Sequence, residues 1–159
     1  VYQLAKKMLE HRAGTEYEDM YWIDLDTLTV VAEELNAKTI KEIVYSDKTK
    51  RIVEEYKNDP EKRLLTIHTH PSSFPPSIPD FNANFENGYN MGVVICHDGK
   101  IFLYAADEEL NENYYNLLVA KKLNLGYNDC EARIITLQQM QETFEIVIKE
   151  VMDNDGNGK

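Results

Sequence analysis

His68, Thr69, His70 and Pro71, followed by Ser77 and Asp80, are the residues whose types and spacing can do chemistry in this chain. The run RLLTIHTH, ending on His70, is rich in β-branched and apolar residues and reads as a strand entering a loop. Side chains alternate faces along a strand, so His68 and His70 point the same way. Two imidazoles at that spacing can grip one cation. The loop PSSFPPSIPD holds four of the five prolines, and their fixed φ angles hold its side chains in place at low entropic cost. Asp80 lies beyond it, at the expected start of a short helix through FNANFEN, and can fold back as a third ligand. Two nitrogens and one carboxylate oxygen suit zinc. Three protein ligands leave a position open for water, which points to catalysis rather than to a structural ion. An isolated H-x-H arises often by chance, as two strand histidines facing solvent or a carboxylate. The joint pattern of strand, H-T-H-P, stiff loop and S-x-x-D is what singles this one out.

Other elements must position these residues. LAKKMLEHR reads as an opening helix closed by Gly14. MYWID and LTVVAEE, around an Asp/Thr turn, read as a hairpin, and MGVVICHDGKIFLYAA reads as a second one with Asp98-Gly99 as its turn. Ser46 is placed to cap the amphipathic segment DKTKRIVEEYK, which ends near Pro60. Asp107 is the expected cap of the helix EELNENYYNLLVAKKL. Leu137, Met140, Phe144, Val147 and Val151 recur at helical spacing and predict a last helix docked by one face. The fold class is therefore α+β, a central mixed sheet of about five or six strands flanked by helices. One domain is expected over residues 1–152, with 153–159 a polar, flexible tail.

Composition narrows the partners. The chain has 159 residues, 43% of them hydrophobic, and a formal net charge of −11. Such a chain can bury a core without disulfide staples. Phosphate binding needs a basic surface, so nucleic acid is not an expected partner. No stretch reaches the length of a membrane span and no signal-peptide core is present, so no membrane association is expected. The two cysteines, Cys96 and Cys130, form neither a metal knuckle nor a disulfide framework. That usage suits a reducing compartment, and a cytoplasmic location is expected. Cys96, in an apolar run, reads as a small buried residue. His97, beside the second hairpin's turn, reads as exposed.

The joint pattern resembles the JAB1/MPN/Mov34 (JAMM) zinc metalloprotease family. Its motif is an upstream Glu, then H-S/T-H-P, then S-x-x-D, matched here by His68, Thr69, His70, Pro71, Ser77 and Asp80. The stretch between His70 and Ser77 is one residue shorter than the family's usual spacing. The resemblance would cover roughly residues 14–106 and looks closer to the small bacterial and phage-type members than to the eukaryotic branch. It implies a cytidine-deaminase-like JAB/MPN architecture, one zinc ion per chain on His68, His70 and Asp80, and hydrolysis of a peptide or isopeptide bond by a zinc-activated water. It also implies an upstream glutamate as general base. Glu16 and Glu18 share strand parity, and the run from Glu18 to Asp24 matches the family better, so Glu18 is the chosen base and Glu16 the alternative. The resemblance makes Ser77 the oxyanion donor, although a Ser beside Ile78-Pro79 also suits a helix cap. Thr69 faces the other side of the strand and reads as structural. Trp22, which shares Glu18's parity, reads as a core residue or a wall of the site.

The implied partner is a protein or peptide substrate, ubiquitin-like proteins included, although inserted segments that grip ubiquitin are not evident. Two other readings stand beside the peptidase. One is a catalytically silent JAB-fold scaffold for protein interaction. The other is a zinc hydrolase of a non-protein amide, held in a compact site near Tyr21 or Phe74.

Overall fold

The computed structural model describes residues 19–35 and 45–151. The expected opening helix and the polar tail lie outside them. Six strands form one mixed sheet: β1 (Met20–Asp24), β2 (Thr29–Glu34), β3 (Leu64–His70), β4 (Met91–Cys96), β5 (Ile101–Ala106) and β6 (Ile146–Val151). Their order is β2-β1-β3-β4-β5-β6. Only β3 and β4 run parallel; the other four pairings are antiparallel. Four helices accompany it among the described residues: α1 (Asp47–Asn58), α2 (Ile78–Glu86), α3 (Glu112–Asn124) and α4 (Asp129–Met140). The fold is thus α+β, with a sheet and helix content as expected.

A parallel pair cannot be closed by a tight turn and needs a crossover. Here the crossover from β3 to β4 is the proline-rich loop and α2. It leaves the sheet at the carboxyl end of β3, where His70 sits, and begins its helix with Asp80 in the first turn. Topology therefore returns an acidic residue to the strand end that carries the histidines.

Burial divides the sheet into two faces. Met20, Trp22, His68, Val94, Phe102 and Tyr104 lie on one, where the buried residues of the described helices pack against them. Tyr21, Ile23, Leu65, Ile67, Val93 and Ile95 form a cluster on the other. The DLDT and Asp98-Gly99 hairpins form as expected. Ser46 caps α1, accepting from the Thr49 N–H, and its hydroxyl donates to the Glu34 carboxylate at the end of β2.

Two expectations are corrected. Asp107 does not cap α3; Asn111 does, accepting from the Tyr114 N–H. The Asp107 N–H instead donates to the Glu145 carbonyl, and Leu110 is pinned to α2 because Asn82 bonds both its N–H and its carbonyl. The last segment is not one helix. It is α4 and then, after a turn, the edge strand β6. Ile146 and Ile148 are buried at period two, whereas Val147 is 57% exposed. Pairing with β5 along six residues satisfies backbone groups that a lone terminal helix turn would leave open.

A pH-dependent tie joins β1 to α1. The Tyr56 hydroxyl donates to Asp24 at 2.6 Å, and this bond, aided by backbone N–H groups of the turn, holds the Asp24 carboxyl below its ordinary range. A depressed folded pKa means the stabilisation is present above the unfolded value of about 3.9 and is lost as pH falls through the folded one. Tyr56→Phe should therefore unfold at a higher pH than the parent in an acid titration followed by circular dichroism. Coincident acid midpoints would contradict this.

Candidate metal centre

His68 and His70 stand two apart on β3 and share a face, as strand alternation requires. His68 is 4% exposed. The ring nitrogens converge: His68 Nε2 lies 3.1 Å from His70 Nε2. Asp80 Oδ2 is 3.2 Å from His70 Nε2 and 3.4 Å from His68 Nε2. Ligands about 2.0–2.1 Å from a zinc ion at tetrahedral angles stand roughly 3.3–3.4 Å apart. The triangle's sides, 3.1, 3.2 and 3.4 Å, come close to that edge length. It is the one such His/Cys/Asp/Glu group among the described residues.

The protonation pattern also favours a cation. His70 Nδ1 lies 3.1 Å from the Phe74 carbonyl, which can only accept, so Nδ1 carries the proton. His70 Nε2 is then a lone pair facing the Asp80 carboxylate. A shared metal ion satisfies both of these and His68 Nε2, whereas one proton cannot. Such a carbonyl contact fixes the tautomer of a ligating imidazole in known metal sites. His68 Nδ1 is buried with no hydrogen-bond partner among the described residues.

Asp80 is built into its place by local sequence. Ser77 and Asp80 form a capping box: the Ser77 hydroxyl oxygen accepts from the Asp80 N–H at 3.2 Å, and the Ser77 N–H donates to Asp80 Oδ2 at 2.9 Å. Proline in the first turn stiffens this start. Burial pushes the Asp80 carboxyl up, but the two histidine rings, when they are protonated and donate to it, outweigh burial and hold it well below the usual carboxylate range; a cation bound in place of those protons acts in the same direction. The carboxylate is therefore ionised, as a ligand must be.

Ser77 serves as the helix cap and also lines the cleft. Capping uses an oxygen lone pair and leaves the hydroxyl proton for a second bond. Thr69, between the histidines, is structural as expected. Its hydroxyl accepts from the Asp19 N–H at 2.9 Å, and its own N–H donates to the Asp19 carbonyl at 3.0 Å. Glu16 and Glu18 lie outside the described residues. The described chain starts at Asp19, held on the residue between the two histidines.

The three candidate ligands open on a cleft of about 450 Å³. Phe74 lines it, but Tyr21 does not. Tyr21 stands opposite Ile67 and belongs to the cluster on the far face, because its strand parity is the reverse of Met20's. Trp22 is fully buried and is a core residue. It still reaches the cleft indirectly: its Nε1 donates to the Tyr89 hydroxyl at 2.9 Å, and that oxygen lies 3.0 Å from the Tyr45 hydroxyl. Burial raises the pKa of both phenols, so both remain protonated. Tyr104, buried beneath, sets its ring edge-on to His68 at 6.4 Å.

The proline loop is also pinned from below. The Cys96 thiol donates to the Phe74 carbonyl and the Cys130 thiol to the Ser73 carbonyl. Burial pushes the Cys96 thiol up to about 12, which keeps it a donor. Both cysteines are free, and Cys96 is buried as expected. His97 is exposed, also as expected. Tyr45, Tyr89, Tyr104 and Arg133 complete the cleft, and no local spacing marks them. Each comes from a different element or loop and meets the histidines only through the fold.

Among the described residues, no helix is long and apolar enough to cross a membrane. Comparison with family models, curated proteins and solved structures returned no match.

Proposed function

We propose that this chain is a zinc-dependent hydrolase, a metallopeptidase of the JAMM type acting on a peptide or isopeptide bond. The observation that carries the reading is the convergence of His68 Nε2, His70 Nε2 and Asp80 Oδ2 at mutual distances of 3.1–3.4 Å on the wall of an open cleft. A central strand bearing both histidines, with the crossover helix bearing the aspartate, supports a JAB/MPN-like architecture.

Zinc held there would polarise a substrate carbonyl and lower the pKa of bound water from about 16 to about 7. The chain's own residues do the rest. Glu18, one residue before the Asp19 that hydrogen-bonds to Thr69, takes the water proton and returns it to the leaving amine. The Ser77 hydroxyl donates to the oxygen on which charge develops. His70 is held in register by Phe74 and Asp80 by its capping box, so neither ligand has to reorganise during the reaction.

The test is a zinc titration followed by a peptide-hydrolysis screen. About one zinc per chain is expected. Glu18→Gln should keep the zinc and lower hydrolysis by roughly 10²–10⁴-fold. A protein that takes up no zinc overturns the metal centre. A protein that binds zinc and hydrolyses nothing overturns the enzyme and leaves the scaffold reading.

A further inference from the structure

The cleft has one cationic side chain on its wall among the described residues, Arg133. Arg133 leaves the first turns of α4 and lays its guanidinium over the Phe74 ring, 4.0 Å from the centroid. Its Nε donates to Asp129 at 2.7 Å, one helical turn back. These two contacts tether the guanidinium and leave Nη1 and Nη2 without a hydrogen-bond partner among the described residues. The free edge is the fork that matches a carboxylate with two parallel bonds. Phe74 joins this cation to the ligands directly: its ring carries Arg133, and its carbonyl is 3.1 Å from His70 Nδ1.

The alternative is an ordinary surface ion pair between Arg133 and Asp129 at helical spacing. Such a pair does not require the guanidinium to sit over the Phe74 ring, in the loop that contacts His70, nor to line the same cleft. A cleft of about 450 Å³ also suits a small ligand or the end of a peptide rather than a broad protein surface.

We propose that the Nη edge of Arg133 binds a carboxylate of the substrate, so that the cleft selects amides whose acyl or amine part carries a carboxylate close to the scissile bond. This rests on the zinc-hydrolase reading and names its substrate class. The free α-carboxylate of a peptide and an acidic side chain both present that group.

Two ligands separate the terms. Succinic acid monohydroxamate and its neutral amide, succinamide hydroxamate, carry the same metal-chelating group and differ only in the carboxylate. Calorimetric titration of the zinc-loaded protein should show the acid binding about tenfold tighter than the amide, as one charge-assisted bidentate contact allows. Arg133→Met, which keeps the aliphatic contact with Phe74, should bring that ratio close to one and leave zinc affinity unchanged. Arg133→Lys should keep part of the preference, because charge remains while the fork is lost. Equal affinities for acid and amide in the parent protein overturn the proposal, and so does a preference that survives in Arg133→Met. Absence of zinc uptake, read in the same calorimeter before any hydroxamate is added, overturns the metal centre itself and takes this proposal with it.

Discussion

Asp80→Ala should lower zinc affinity by more than about 100-fold, since loss of a supporting contact alone costs 10–100-fold and Asp80 is one of the three proposed ligands. It should also weaken the start of α2. The same carboxylate accepts the Ser77 N–H at 2.9 Å, and losing such a cap costs about 0.5–2 kcal/mol. Asp80→Asn separates the two effects. Its amide oxygen can still accept from Ser77, but it presents no charge to the ion. Calorimetry with zinc and chemical unfolding in chelator should therefore give different orders. In zinc affinity, both variants fall far below the parent. In metal-free stability, Asp80→Asn stays near the parent and Asp80→Ala lies about 1 kcal/mol below it. An alanine variant that binds zinc as the parent does would remove Asp80 from the ligand set.

Gly92→Ala should be the most destabilising single methyl in the sheet. Gly92 stands opposite Tyr104 in the β4–β5 pairing. A methyl there would overlap Cζ and Cε1 of the Tyr104 ring and sit 2.7 Å from its Oη. The ring has little room to retreat, because Tyr104 is 3% exposed and packs edge-on against Phe81 at 5.2 Å. Overpacking of this kind costs typically 1–3 kcal/mol, and the upper end, about 3 kcal/mol, is expected here. The displaced ring also neighbours His68, so zinc affinity should fall even though no ligand is changed. Adding Tyr104→Leu should recover part of the loss, giving a favourable coupling in a double-mutant cycle. If Gly92→Ala costs less than about 0.5 kcal/mol, Tyr104 is not held as described.

The two predictions show how differently parts of the site were legible. Asp80 could be read from the chain, because a capping box spans three residues and states its own geometry. The Gly92–Tyr104 contact could not. It depends on which residues face each other across two strands, and nothing in MGVVIC says that a tyrosine ring lies over its glycine.

The same division runs through the fold. Hairpins with short turns, the Ser46 and Ser77 caps and the shared face of His68 and His70 follow from interactions within a few residues. Where two local patterns compete, tertiary pairing chose between them. Leu137 to Val151 carries an apolar residue at helical spacing throughout, yet it also contains the β-branched run IVIK. The exposed edge of β5 captured that run as β6. Asp107 and Asn111 are both good caps. Asn82, holding Leu110 against α2, keeps residues 107–110 out of the helix.

What the sequence determined by itself was the candidate metal group: the residue types, the common face of the two histidines and the local frame that returns a carboxylate to them. Period-two alternation and a three-residue cap are enough for that. Only the tertiary structure decided what surrounds them. It brought Tyr45 and Tyr89 together with the buried Trp22, and laid Arg133 on Phe74. Those contacts join residues many tens of positions apart, and they form only because burying the two faces of one sheet outweighs the entropy of closing the loops between them.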